Sequence, residues 1–186
     1  MAERIAAYKL CIFGDSKVGK TTLANRFMHK IFEADMKMTI GTDFYIKEVE
    51  IEGKLVALRI WDFGGEEKYR VLFPNFAKGA AGGIFMYDTT RVETLDDMDE
   101  WLSFFKEHGQ KHIKLPIFMV GGKIDLTEKR SVPPEDAEKL KNKYNLAGYY
   151  ECSSKTGENV ELIFETITRL MMENAGLLCS DKQLLT

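Results

Sequence analysis

Apolar runs and amphipathic stretches alternate along the whole chain. Tyr8-Lys9-Leu10-Cys11-Ile12-Phe13 reads as a strand, and Thr22-Leu23-Ala24-Asn25-Arg26-Phe27 as the helix after it. Residues 44–51 and 54–61 alternate with the two-residue period of strands, joined by a turn at Glu52-Gly53. Residues 82–88 and 115–121 are short continuous apolar runs, the pattern of central parallel strands covered on both faces. Leu95, Met98, Leu102 and Phe105 recur at helical spacing, with Trp101 and Phe104 widening the apolar stripe. Pro133-Pro134 followed by Glu135-Asp136 starts another helix, with acidic residues at its positive end. Val160, Ile163, Phe164, Ile167, Leu170 and Met171 line one face of the last. The order β-α-β-β-α-β-α-β-α-β-α predicts an α/β fold: a mixed, mostly parallel, six-stranded sheet with helices on both faces. In such sheets ligands sit at the carboxyl ends of the strands. One domain over residues 8–176 is expected, with an N-terminal extension of residues 1–7 and a short tail of residues 177–186.

Composition narrows the partners. With 186 residues, 45% of them hydrophobic, a single domain has enough apolar surface for a proper core. A net charge of −3 offers no electrostatic footprint for nucleic acid. Cys11, Cys152 and Cys179 are too far apart in sequence to suggest a disulfide framework or a metal pattern, so reduced thiols and a cytoplasmic location are expected. The final residues, Cys179 to Thr186, carry neither a C-a-a-X box nor a basic run, and Met1-Ala2 is no myristoylation signal; membrane anchoring is not expected, and a monomer is.

The chemistry starts at Gly14-Asp15-Ser16-Lys17-Val18-Gly19-Lys20-Thr21, which spells G-x-x-x-x-G-K-T between a strand and a helix. Glycines at the two ends let the backbone N–H groups of Asp15 to Gly19 turn inward around phosphates, while the following helix, with Thr22 in its first turn, points its positive end at them. Lys20 reaches the β- and γ-phosphates, and the Thr21 hydroxyl ligates Mg²⁺. Downstream, Asp62 ends the third strand as a Walker-B-type metal partner. Gly65 follows, with a backbone N–H that no side chain screens from a γ-phosphate. Thr39, between the loop and Asp62, can bring a second hydroxyl to the metal. At two further strand ends lie Gly121-Gly122-Lys123-Ile124-Asp125 and Glu151-Cys152-Ser153-Ser154-Lys155. A carboxylate at Asp125 suits guanine, which offers N1–H and an exocyclic amine side by side; adenine has no such pair, and a buried charge left unpaired costs ~2–5 kcal/mol. The stems of Lys123 and Lys155 can lie against the base faces, and the Ser154 N–H can meet guanine O6.

Together these motifs make the chain resemble a small GTPase of the Ras superfamily, nearest its Rab branch. The resemblance runs nearly without gaps from about Tyr8 to Met172, through GDSKVGKT, the TIG of Thr39 to Gly41, WDFGG, GGKID and ECSSK. It implies GTP and GDP as ligands, Mg²⁺ held by Thr21 and Thr39 with Asp62 behind them, and Phe32 against the guanine beside Ser153, Ser154 and Lys155. It implies two switch segments, about 33–44 and 64–76, that order around the γ-phosphate and bind effectors, an exchange factor and an activating protein. Lys20, Thr39, Gly65 and Glu66 would carry the hydrolysis.

The chain departs from the family pattern in several places. Glu66 stands where the family has the glutamine that orients the attacking water. A carboxylate only accepts hydrogen bonds and is repelled by a γ-phosphate, so Glu66 is expected either to swing out or to stay protonated with a raised pKa. Gly122 replaces the asparagine of N-K-x-D, which in the family contacts the base and braces the P-loop; weaker nucleotide binding, by ~1–2 kcal/mol, is expected. Met36 lies near the place of a tyrosine that covers the phosphates in many relatives, and Pro74 limits any helix in the second switch. Arg70 is the nearest candidate for a built-in arginine finger, but an exposed or salt-bridged role suits it better. Phe44, Trp61 and Phe76 match an effector-facing aromatic cluster. Three functions follow: a GTP-hydrolysing switch, a GTP-binding module with negligible hydrolysis, and, disfavoured by Asp125, an ATP-dependent P-loop kinase or ATPase.

Overall fold

The computed structural model describes residues 4–34, 36–108 and 115–179. Its strands are β1 (Arg4–Phe13), β2 (Thr42–Ile51), β3 (Lys54–Phe63), β4 (Gly82–Asp88), β5 (Ile117–Gly122) and β6 (Gly148–Glu151). Its helices are α1 (Lys20–His29), the short α2 (Glu67–Arg70) and α3 (Phe73–Ala77), α4 (Met98–His108), α5 (Pro134–Lys143) and α6 (Val160–Asn174). The strands form one sheet in the order β2-β3-β1-β4-β5-β6, parallel except for the β2–β3 hairpin. Glu52 and Gly53 both take positive φ in that hairpin, the turn whose twist suits paired strands.

Strand alternation divides the apolar residues between two cores. Leu10 and Ile12 of β1 face a core with Leu23 and Phe27 of α1 and Ile163, Phe164 and Ile167 of α6. Cys11 and Phe13 face the other, with Phe73, Phe85, Trp101 and Phe105. Phe27 stacks on Phe164 with ring centres 3.9 Å apart, tying the helix after the P-loop to the last helix. Truncating either ring to alanine costs ~3–5 kcal/mol in a core of this kind.

Element edges differ from expectation for local reasons. β1 starts at Arg4, not Tyr8: its first residues pair with β3 at Leu55 and Val56, whose backbone groups would otherwise lack partners on that side. Residues 4–7 therefore belong to the sheet. At the other end Leu177 and Leu178 pack on the α1–α6 core, and Lys54 Nζ donates to the Leu177 carbonyl at 2.5 Å. The rest of the expected extension and tail, residues 1–3 and 180–186, lies outside the described residues. Leu95 falls in a 3-10 turn (Val92–Leu95) ahead of α4, and Pro74 sits in the first turn of α3, leaving the second switch two short helices. Among the described residues no helix is long and apolar enough to cross a membrane.

Candidate functional site

β1 ends at Phe13 and the chain turns through Gly14 (φ 133°), Lys17 (φ 62°) and Gly19 (φ 104°) into α1. A Cβ on Gly14 would stand 2.1 Å from the Met86 carbonyl oxygen, so the loop needs glycine to lie this close to β4. Lys20 turns back over the loop, its Nζ donating to the carbonyls of Gly14 (2.9 Å) and Asp15 (2.6 Å). Burial pulls its ammonium down to about 8, against the pull of Asp62 and Asp15. The Asp15 carboxylate accepts from the Ser16 N–H at 2.7 Å.

Thr21, Thr39 and Asp62 come from α1, the first switch and β3, and they meet. Thr21 Oγ1 lies 2.8 Å from Thr39 Oγ1 and donates to Asp62 Oδ2 at 2.5 Å. Burial pushes the Asp62 carboxyl up to about 6, although Thr21, Lys20 and Thr39 favour its charged form. Its other oxygen, Oδ1, is buried without a hydrogen-bond partner. Two hydroxyls and a carboxylate with a spare buried oxygen are hard donors of the kind Mg²⁺ takes, alongside waters and ligand phosphates. The residues therefore fit the ion that the family implies.

The segment after Asp62 is drawn onto the P-loop. Gly64 N–H bonds the Gly41 carbonyl at 2.8 Å, joining the two switches. A Cβ on Gly64 would lie 2.6 Å from the Thr39 carbonyl oxygen, and one on Gly65 would lie 2.4–2.5 Å from Asp15 and Ser16 backbone atoms. Only glycine permits either approach. Glu66 is half-buried and pairs with Lys68 Nζ at 2.5 Å, a largely exposed neighbour two residues on. Arg70 is committed elsewhere, bridging Asp97 and Glu100 and lying over the Trp101 ring. That fulfils the salt-bridged reading and leaves no finger from this residue in this arrangement.

Two cavities adjoin across Lys17 and Gly19. One, of about 150 Å³, is bounded by Ser16, Lys20, Thr21, Thr39, Gly64 and Gly65, with Met36 and Met38 closing its outer wall. Asn25 Nδ2 donates to the Met36 sulfur and Ser16 Oγ to that of Met38. The other, about 450 Å³, is walled by Val18, Thr22, Phe32, Lys123, Asp125, Ser154 and Lys155. Ser153 Oγ donates to Asp125 Oδ1 at 2.6 Å and accepts from the Thr156 N–H, which orients the carboxylate. Ser153 itself is fully buried and absent from the cavity lining; it acts through Asp125.

Three participants escaped sequence reasoning: Met86, Asp88 and Arg91. Asp88 ends β4 with its side chain 1% exposed. Burial alone would raise its carboxyl, but Lys123 and Thr90 hold it below the usual range. Its Oδ2 receives Lys123 Nζ (2.6 Å) and Arg91 Nε (3.2 Å), and those cations donate onward to successive P-loop carbonyls, Lys123 to Lys17 (2.8 Å) and Arg91 Nη2 to Ser16 (2.9 Å). Met86 puts its terminal methyl 2.5 Å from where a Cβ on Gly122 would be, and 3.5 Å from where one on Gly19 would be. Asp88 at a strand's carboxyl end was the available signal; nothing local marks Met86.

Residues 9–173 match the family model described as the Ras family. The chain is a small GTPase of the Ras family. Its curated relatives place it on the Rab side. It is 39% identical to Ras-related protein RABA4d of Arabidopsis thaliana over 160 residues, 86% of this chain and 71% of the relative. It is 37% identical to human Ras-related protein Rab-8B over 165 residues, 89% and 78% of the two chains. With bovine Ras-related protein Rab-19 the identity is 34% over 170 residues, 91% and 77%. In this Rab-like GTPase, Phe44, Trp61 and Phe76 form a row of edge-on and tilted ring contacts running from surface to core, with ring centres 5.2 and 5.7 Å apart. Phe44 is 47% exposed while Trp61 and Phe76 pack on the second core, so the cluster is both surface and interior.

Proposed function

We propose that this small GTPase is a guanine-nucleotide switch in the cytoplasm, acting as a monomer, that binds GTP and GDP with Mg²⁺ and hydrolyses GTP slowly. The observation that carries the proposal is the meeting of Thr21, Thr39 and Asp62 beside Gly65. Both switch segments, about 33–44 and 64–76, are thereby tied to the phosphate end of the cavity. A γ-phosphate there would hold them closed, and its loss would release them to change the surface offered to effectors, an exchange factor and an activating protein.

Each residue has a task in this reading. The P-loop N–H groups from Asp15 to Gly19 and the Lys20 ammonium bind the phosphates; Val18, Thr22, Phe32, Lys123 and Lys155 enclose the nucleoside. Asp125, steadied by Ser153, accepts from guanine N1–H and the amine, and Ser154 N–H meets O6. Thr21 and Thr39 would hold Mg²⁺ with Asp62 behind them; the ion supplies charge neutralisation at the transferring phosphoryl group. Gly65 N–H donates to the γ-phosphate. Glu66 accepts a hydrogen bond from the attacking water and orients it, with Lys68 offsetting the charge that would repel the phosphate. With Arg70 engaged by Asp97 and Glu100, an arginine from an activating partner could add ~10³–10⁵-fold.

The Glu66–Lys68 pair also favours a second reading, a GTP-binding module with negligible hydrolysis, because a carboxylate held by an ammonium has less freedom to engage water. Protein stripped of nucleotide, given equal GTP and ATP with Mg²⁺ and sampled over hours by chromatography, separates the possibilities. Bound GTP converting to GDP supports the switch. GTP that persists, even with activator-rich fractions, supports the module. Bound ATP refutes guanine specificity.

A further inference from the structure

The two cavities of the nucleotide site share two residues, Lys17 and Gly19. Thr21 and Thr39 border the smaller cavity, and Phe32 and Asp125 border the larger. A nucleotide with its base on Asp125 and its last phosphate at the threonines must therefore pass its inner phosphates over the shared wall. Gly19 has no side chain to offer there. Lys17 is the side chain at the crossing.

Three observations set this lysine apart. Its backbone is left-handed, with φ 62°, a conformation that glycine takes freely and a residue with a Cβ adopts at a cost. The residue is exposed, and among the described residues no hydrogen bond or ion pair engages its ammonium; only its carbonyl is used, by Lys123. The neighbouring cations are committed to protein, Lys20 to the carbonyls of Gly14 and Asp15, and Lys123 and Arg91 to Asp88. Among the described residues the smaller cavity is bounded by no carboxylate and by three lysines, Lys17, Lys20 and Lys37, a wall of one sign that draws a polyanion. Lys37 belongs to the first switch, whereas Lys17 is held in the loop between β1 and α1.

We infer that Lys17 is a second phosphate-binding lysine, whose ammonium reaches the α- and β-phosphates at the crossing and retains GDP and GTP alike. The inference rests on the guanine-nucleotide reading above and adds a side-chain contact to the backbone ones. Both nucleotides carry these two phosphates, so the contact is blind to the state of the switches. Lys20 is buried and Lys17 is exposed, so salt screens the second lysine far more than the first.

The test is stopped-flow release of a fluorescent GDP and of a fluorescent, non-hydrolysable GTP analogue. Lys17→Met keeps a long stem and removes the charge; Lys17→Gly removes the charge and the conformational cost together. Both variants should release both nucleotides about tenfold faster than wild type at low salt, the effect of one charge-assisted hydrogen bond at an exposed position. The gap should narrow towards ~1 M salt, where charges act over only about 3 Å. Unchanged release from Lys17→Met would overturn the inference. So would faster release of the GTP analogue alone, which would put the ammonium on the γ-phosphate. Wild-type rates in Lys17→Gly, or a gap that ignores salt, would trace the effect to the shape of the loop and overturn it too. Wild-type protein that binds ADP as tightly as GDP would overturn the guanine reading alone, because ADP carries the same two phosphates and the Lys17 comparison would then be made on ADP.

Discussion

Thr21 and Thr39, eighteen positions apart in sequence, hold their hydroxyl oxygens 2.8 Å from each other, and Thr21 donates to Asp62 at 2.5 Å. The contact fastens the first switch to the helix that follows the P-loop. If the first switch closes only around a γ-phosphate, as proposed, Thr39→Ala should affect the GTP state selectively. Single-turnover GTP hydrolysis should fall at least tenfold, about the loss of one good polar contact, with GDP affinity within about threefold of wild type. Equal losses for GDP and GTP would mean that Thr39 merely supports the fold.

Gly65→Ala tests the closure from the other side. The added Cβ would stand 2.4–2.5 Å from Asp15 and Ser16 backbone atoms, which cannot yield as a flexible side chain can. The second switch should be held off the P-loop, depriving the γ-phosphate of a donor. Hydrolysis should drop by about 10²-fold, the scale for one lost backbone donor at a reacting centre, while GDP still binds. Hydrolysis at the wild-type rate would show that Gly65 does not approach the phosphate.

Arg91→Ala should loosen the nucleotide from behind. Arg91 links the buried Asp88 carboxylate to the Ser16 carbonyl, giving the loop support that does not come from position 122. Release of a fluorescent GDP in stopped flow should speed up by about tenfold. Arg91→Lys should recover only part, because one ammonium lacks the fork that spans both partners. Unchanged release rates in both proteins would remove Arg91 from the site.

Glu66→Ala should slow single-turnover hydrolysis by ~10²-fold or less, since a water-orienting acceptor contributes at the lower end of the general-base range. Lys68→Ala should slow it too, by leaving the carboxylate uncompensated beside the γ-phosphate. An alanine at 66 that hydrolyses GTP as fast as glutamate would favour the module without hydrolysis.

Acid should act through the base loop. Arg130 grips both Glu151 oxygens, at 2.7 and 2.8 Å, and Tyr149 donates to one of them at 2.6 Å. Burial by itself raises the Glu151 carboxyl, yet the Arg130 fork and the Tyr149 hydroxyl outweigh it and hold the group below the usual range. With its folded value below the unfolded one, its stabilisation is complete above the ordinary glutamate pKa of about 4.3. It is lost as pH falls through the lower folded value. Denaturant unfolding should find Glu151→Gln ~1–2 kcal/mol less stable than wild type at pH 7, with the gap closing towards pH 3. A gap independent of pH would assign the loss to packing.

Much of this protein was decided by short-range order along the chain. The P-loop spacing from Gly14 to Thr21, the strand periodicities and the carboxylate of Asp125 each express a local requirement: a tight turn, a buried face, an acceptor pair for one base. Such requirements are met within a few residues, so they are written consecutively and can be read that way. The joining of Thr21, Thr39 and Asp62 was accessible only through the family resemblance, because Thr39 lies in the loop before β2 and nothing in its own surroundings marks it. What only the tertiary structure decided depends on packing between elements remote in sequence. Met86 looks like any apolar residue of a central strand until its methyl is found over Gly122, 36 residues away. Arg91 looks like a solvated loop cation until β4 brings it to Ser16, and Lys68 becomes the counterion of Glu66 only in the turn that α2 imposes. Apolar filling and charge pairing are non-directional in sequence. They are settled by which volumes and charges the fold leaves adjacent.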